Sequence, residues 1–191
     1  MKKTLFFIAA ALFSTAVSAQ SNWKVDKAHS HFTFTITHLA VSDVDGVFKD
    51  FDATIVASKP DFSDAKVQFT ANASSVNTGN DQRDAHLKSP DFFDAAKNPA
   101  VTFTSTSVKP TGANHYAVTG NLTLAGVTKP ATFDLVYRGT IIHPMTKAPD
   151  AGFSVAGTIK RSDFNFGSKF GSPMLGDEVS FKASGEFAKE N

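Results

Sequence analysis

The polar residues most able to do chemistry in this sequence are those that fall on the same side of a strand as its apolar ones. His38 continues the alternating series Phe32, Phe34, Ile36, and Arg161 continues Phe153, Val155, Gly157, Ile159. In an extended chain, residues two apart share a face, so both polar groups extend an apolar surface. Arg83, Asp84 and His86 lie in Asn77–Asp94, where alternation stops, charge density rises and Phe92 and Phe93 stand side by side. An Arg at the edge of an apolar surface suits a phosphate or another oxygen-bearing head group, because its guanidinium presents donors in a fixed fork. His38 and His86 have the imidazole chemistry of a general base. Arg83 with Asp84, and Arg161 with Asp163, are equally suited to structural ion pairs that fasten one segment to another.

Other constellations are weaker. His29 and His31 are two apart, hence on one face of a strand, but they belong to the solvent parity and lack a third ligand. Stable sites usually take three or four ligands, so neither a metal nor a cofactor is expected. The sequence has no Cys, no Gly-x-Ser-x-Gly elbow and no phosphate-binding or dinucleotide glycine pattern. Binding is therefore expected ahead of catalysis, and the protein is read as a non-enzyme. Two alternatives stay open: a lipid-modifying enzyme with His86 or His38 as base, and a stress-related structural module with a filled core.

The elements that must position these residues begin after a leader. Lys2 and Lys3, the apolar run Leu5–Leu12 and the small residues Val17-Ser-Ala19 read as a secretory signal peptide over 1–19, cleaved after Ala19. Residues 20–191 then form one domain, with export expected. With the leader gone, 17 basic residues face 18 acidic ones, which gives no electrostatic case for nucleic acid. Sixteen of the 19 Phe residues fall in this domain, and rings without a polar handle need a dry site.

Alternation marks a short leading strand at Trp23–Val25 and then eight strands, near 31–38, 46–57, 65–73, 100–108, 115–125, 131–140, 152–161 and 178–188. A parity shift at Lys49-Asp50 predicts a β-bulge. Each strand is apolar on one face, and most connections are short. The simplest topology is an antiparallel meander closed into an eight-stranded barrel, with a two-sheet sandwich as the competitor. Thr, Ser, Lys and Asp on the polar parity, with Phe spread along whole strands, place the apolar face inward rather than toward lipid. Gly120, Gly157 and Gly185 on the inward parity leave room in the lumen. The irregular stretch is a helical insertion between the third and fourth strands, in pieces over 80–88 and 90–97, with Ser89-Pro90 starting the second. Odd-numbered strands of a meander end at one rim, so the insertion, His38 and Arg161 are expected at a single mouth.

The chain resembles the YceI-like family of exported polyisoprenoid- or lipid-binding proteins. The likeness is carried by His31-Phe-Thr-Phe34 with Thr37-His-Leu39, Gly46-Val-Phe48, Thr78-Gly-Asn80 and Arg83-Asp-Ala-His-Leu87. It continues through Ser89-Pro-Asp-Phe-Phe-Asp94, Pro99-Ala-Val-Thr-Phe103, Gly120-Asn-Leu-Thr-Leu-Ala-Gly-Val-Thr-Lys-Pro130, Arg161-Ser-Asp-Phe164 and Gly176-Asp-Glu-Val179. The resemblance implies an all-β, lipocalin-like antiparallel barrel that carries or stores a long isoprenoid chain, an isoprenoid quinone or a related amphiphilic lipid in the periplasm. Phe32, Phe34, Phe51, Phe69, Phe103, Tyr116, Phe133, Phe153 and Phe181 are then expected as lumen wall. His38, Arg83, His86 and Arg161 are expected at the polar end and Phe92 among the ligand-binding residues; Phe92 and Phe93 cannot both point inward from a helix, so at least one of them is expected to seal the cap. Transient membrane contact during loading is a further expectation, as is a homodimer formed by an edge at a loosely closed seam.

Overall fold

The computed structural model describes residues 20–190, so the expected leader over 1–19 lies outside the described residues. Eleven strand segments make one sheet: β1 (Ser21–Val25), β2 (His31–His38), β3 (Ser42–Phe48), β4 (Phe51–Ala57), β5 (Lys66–Asn72), β6 (Val76–Asn77), β7 (Ala100–Gly112), β8 (His115–Leu124), β9 (Val127–Ile142), β10 (Pro149–Lys160) and β11 (Leu175–Lys189). Six of them are halves of interrupted strands. β1 and β2 both pair with β11, on either side of a 3-10 turn at Lys27–His29. β3 pairs with β2 while β4 pairs with β1, and β5 pairs with β4 while β6 pairs with β3. Counted this way, eight strands run as a meander, and the pairing of β11 with β1 and β2 closes the barrel. Closure rules out the open sandwich and leaves no free edge along most of the sheet.

Two local readings change. The leading strand is the first half of the barrel's first strand rather than an extra element. Lys49 and Asp50 interrupt the second strand altogether, and the pairing partner changes from β2 to β1 across them. The parity shift is real: Phe48 and Val44 face inward before the break, and Phe51, Ala53 and Ile55 after it.

The apolar parity faces the lumen and Thr, Ser, Lys and Asp face out. Cross-strand hydroxyl pairs such as Thr119–Thr132 at 2.9 Å and Thr123–Thr128 at 2.8 Å lie on that outer face. Glycines on the inward parity do not simply leave empty room. A Cβ on Gly157 would sit 2.4 Å from the Phe133 ring, and one on Gly46 would sit 2.2 Å from the Phe34 ring. Each is a berth in which a ring from the neighbouring strand lies down. Gly120 does the same for Phe103, and Gly185 makes room for Ser30.

The end away from the insertion is closed. Phe62, at φ +59° in the loop after β4, inserts its ring among Trp23 (5.3 Å), Tyr137 (4.9 Å) and Phe153 (4.9 Å). Tyr116 donates its hydroxyl to the Asp61 carbonyl, and burial pushes its phenol pKa up, which keeps the donor protonated.

At the other end the insertion holds a single helix, α1 (Asp81–Lys88). Asn80 caps it by accepting from the Arg83 amide at 2.9 Å, and acids in the first turn and bases in the last suit the helix dipole. The expected second helix over 90–97 does not form. Ser89 ends α1 instead of starting another: Pro90 holds it extended (φ −74°, ψ 169°), and its amide donates to the His86 carbonyl. Turns follow, and Asp94 at φ +46° folds the chain back so that Phe93 and Ala95 donate to the Leu87 and Lys88 carbonyls.

Candidate functional site

The barrel encloses a cavity of about 430 Å³. That lies within the roughly 300–1,000 Å³ of ligand pockets. Its wall is built from inward strand positions, and several of its rings are only half-buried although they point into the protein. Phe32, Phe51, Phe69, Phe133 and Phe181 are of this kind, while Phe34, Phe103 and Phe153 are buried. A half-buried ring facing inward is what an unfilled lumen produces. Phe32 is the hub, stacked on Phe48 (5.5 Å) and Phe181 (5.6 Å) and tilted on Phe69 (4.6 Å). Tyr116 was expected in this wall and is not part of it: it belongs to the closed floor.

His38, Arg83, His86 and Arg161 all border the cavity at one end, which places the insertion and the ends of β2 and β10 on one rim. Their polar atoms serve different ends. Arg161 is 5% exposed, and its guanidinium is spent on backbone. Nε donates to the Gly176 carbonyl at 2.8 Å, Nη1 to Phe166 at 3.0 Å and Gly167 at 2.9 Å, and Nη2 to Leu175 at 3.1 Å and to Phe170. All five N–H donors are thereby used. The expected head-group contact is corrected: Arg161 fastens the loop over 161–174, and it makes no ion pair with Asp163 among the described residues. Ser162 donates from backbone and hydroxyl to Asp177, whose carboxyl is held below its usual pKa mainly by that hydroxyl, and this pins the start of the loop.

Arg83 and Asp84 are not a pair with each other either. Thr78 stands between them. Its hydroxyl donates to Asp84 Oδ1 at 2.6 Å and accepts from Arg83 Nε at 2.7 Å, and its carbonyl accepts from Arg83 Nη2 at 2.9 Å. Asp84, 5% exposed, also takes the Thr78 amide at 2.8 Å and Asn77 Nδ2 at 3.3 Å. Asp84 therefore ties α1 to β6. Arg83 is exposed, borders the cavity, and has no hydrogen-bond partner for Nη1 among the described residues. It is the cation of this rim that keeps donors free.

His86 places Nε2 at 3.4 Å from Asp91 and sits edge-on to Phe92 (5.1 Å) and Phe170 (5.5 Å). Asp91 also pairs with Lys169, and these two hydrogen bonds, Lys169 first, hold its carboxyl below the usual range. Phe92 stacks on Phe170 at 5.2 Å with rings 4° from parallel, and Phe93 packs on Phe166 at 4.7 Å and Phe48 at 5.7 Å. Phe92 and Phe93 both border the cavity because turns, not a helix, carry them. The insertion and the loop over 161–174 thus form a two-part cover. Phe166, Phe170 and Met174 are cavity residues that strand parity could not supply, since they sit outside any strand.

The sequence matches the YceI-like domain over residues 23–187. Protein YceI of Salmonella newport is 43% identical over 175 residues, covering 90% of this chain and 91% of that protein. The Campylobacter jejuni YCEI protein has a crystal structure that superposes with a TM-score of 0.74 at 30% identity, over 100% of both chains. Burkholderia cenocepacia BcnA gives a TM-score of 0.76 at 27% identity, covering 85% of this chain and 98% of its own. A polyisoprenoid binding domain from Saccharophagus degradans shares the fold at a TM-score of 0.63 and 16% identity. With the match running from Trp23 to Phe187, nearly the whole barrel just described, this chain is a member of the YceI-like family.

Proposed function

We propose that this protein binds one long-chain polyisoprenoid or related amphiphilic lipid in its lumen and carries or stores it in the periplasm. The observation that supports this most is the cavity: about 430 Å³, walled by aromatic and aliphatic side chains, with Arg83, His38 and His86 gathered at its mouth. An apolar chain gains roughly 0.8 kcal/mol per methylene buried, so it binds without specific polar contacts along its length. The free donors of Arg83, with His38 beside the same mouth, suit an oxygen-bearing head group. The unfilled lumen speaks against a structural module with a solid core. His86 faces Asp91 and aromatic rings, with no nucleophile beside it among the described residues, which supports a carrier over an enzyme. The leader pattern in residues 1–19 supports export. Exposed Leu39, Val41 and Met174 at the mouth, with the Leu39 amide bonded to the Met174 carbonyl at 3.1 Å, support brief membrane contact during loading.

The test is native mass spectrometry of protein purified gently from its own periplasm, followed by lipid extraction. An adduct that extracts as an isoprenoid or similar amphiphile is expected, together with rebinding of that compound by delipidated protein. A protein that carries no apolar adduct and takes up none on titration would refute the proposal. Fractionation of the host cell, with N-terminal sequencing of the mature chain, tests the location.

A further inference from the structure

The barrel closes where β1 and β2 meet β11, and the ladder there has a gap. β2 pairs with β11 up to His31 opposite Ser184, and β1 resumes with Val25 opposite Phe187. The 3-10 turn Lys27–His29 fills the interval. On it, Asp26 accepts from the Ala28 amide at 2.8 Å through Oδ1, while Oδ2 lies 2.8 Å from His29 Nδ1. Glu186 Oε2 is 4.0 Å from the same nitrogen, and the Asp26 amide donates to the Glu186 carbonyl at 2.8 Å. One ligand atom from each of Asp26, His29 and Glu186 therefore falls within 4.8 Å of the others.

A second, independent feature points at the same spot. Asp150 is 9% exposed, and its Oδ1 is buried with no hydrogen-bond partner. In the β10–β11 ladder Asp150 stands opposite Ala188 and Gly152 opposite Glu186. Asp150 and Glu186 are thus diagonal neighbours on one face, where the Arg138 side chain of β9 lies against Gly152 without reaching ion-pair distance of either carboxylate. The Asp150 carboxylate lies close enough to His29 to act on it electrostatically. Among the described residues, no Lys or Arg lies within ion-pair distance of any of the three carboxylates. Three carboxylates around one imidazole, one of them buried and unpaired, leave a local surplus of negative charge that calls for a cation.

We propose that Asp26, His29 and Glu186 form a binding site for a divalent transition-metal ion of the zinc type, with Asp150 as its buried counter-charge. The imidazole nitrogen selects against magnesium and calcium, which prefer all-oxygen shells. Tetrahedral zinc, with bonds of about 2.0–2.1 Å, needs ligand atoms about 3.4 Å apart, so the Asp26–His29 pair at 2.8 Å opens slightly as the half-exposed Glu186 side chain closes in from 4.0 Å. The bound ion would tie the 3-10 turn to β11 across the gap in the ladder. That gap lies beside Ser30, His31, Ser184 and Gly185, all of which border the lumen. Occupancy would therefore stiffen the cavity wall at the closing seam without touching the mouth.

Isothermal titration of chelator-treated mature protein with zinc chloride tests this, with calcium chloride as comparator and the His29 ring followed by NMR. One saturable zinc site is expected, with the His29 ring signals shifting in step with the heat and calcium far weaker. His29→Gln should remove the site, and Asp150→Asn should weaken it about tenfold, as loss of an outer-shell partner does. His115→Ala, which alters an exposed His paired with Asp134 alone, should leave it unchanged. Circular dichroism of the His29→Gln protein checks that its fold is retained. Absence of saturable zinc binding would overturn the site, as would zinc affinity that survives His29→Gln or is lost with His115→Ala.

Discussion

At the scale of single residues, the polar groups on the lumen parity divide into those whose hydrogen-bonding capacity is used up and those with donors to spare. Arg161 is the extreme of the first kind. Its five bonds hold three stretches of backbone, Phe166-Gly167, Phe170 and the start of β11 at Leu175-Gly176, and no side chain other than a guanidinium offers that fork. Arg161→Lys should therefore cost more than about 3 kcal/mol in urea unfolding, because several buried carbonyls lose their donors at once. Asp84 is of the same kind on the other half of the cover. Asp84→Ala leaves the Thr78 amide unpaired and should cost about 1–3 kcal/mol, whereas Arg83→Ala, on an exposed side chain, should cost little. If Arg83 meets a head group, the ranking inverts for affinity: Arg83→Ala weakens lipid binding in a fluorescence titration while stability holds. The sequence located these groups by two signals: strand parity for Arg161, and the rise in charge density where alternation stops for Arg83 and Asp84. It did not sort them, because Arg161's partners are backbone carbonyls of a loop with no periodicity, and Thr78 gives no sign that it would stand between Arg83 and Asp84.

At the scale of elements, the cover over the lumen is two irregular segments latched to each other. One latch is polar, Asp91 held by Lys169 and His86; the other is the Phe92–Phe170 stack. The Asp91 carboxyl is depressed in the folded state, so its contribution is fully present above the ordinary carboxylate pKa of about 3.9 and is lost as pH falls through the lower folded value. The latch should therefore hold unchanged from pH 7 to pH 5 and release only in stronger acid. Amide exchange in residues 89–97 and 166–170 measures this, and Lys169→Met should move the onset of release upward toward the ordinary carboxylate range. A latch that loosens between pH 7 and 5 would mean that the Asp91 carboxylate is not what holds it. Strands were the readable elements, down to the break at Lys49-Asp50, since period-two alternation reports a half-buried sheet directly. The cover was misread at one point, where Ser89-Pro90 looked like a helix start. A Pro that opens a helix and a Pro that forces the preceding residue out of one look the same locally, and only the backbone bonds returning to Leu87, Lys88 and Ser89 distinguish them.

At the scale of the whole molecule, closure, lumen and stability are linked. Half-buried rings around unfilled space mean that part of the aromatic surface is not yet removed from solvent, so a ligand completes the core as well as occupying a site. A ligand that binds only the folded barrel stabilises it by mass action, by about 2.7 kcal/mol at one hundred times its dissociation constant. For a domain of this size that is a rise of about 5–10 °C in Tm. Ala183 allows the effect to be separated from ordinary packing. It borders the lumen on β11, opposite Phe32 and Val155. In a filled core Ala183→Phe would overpack and cost about 1–3 kcal/mol. Here the added ring has the cavity to enter, so the ligand-free variant should unfold at a Tm close to that of the parent. It should also lose most of the rise produced by lipid, since the space the chain would take is occupied. A variant that is destabilised without ligand yet still gains the full lipid-dependent rise would mean that the chain binds outside the barrel, and the lumen would have to be read as core.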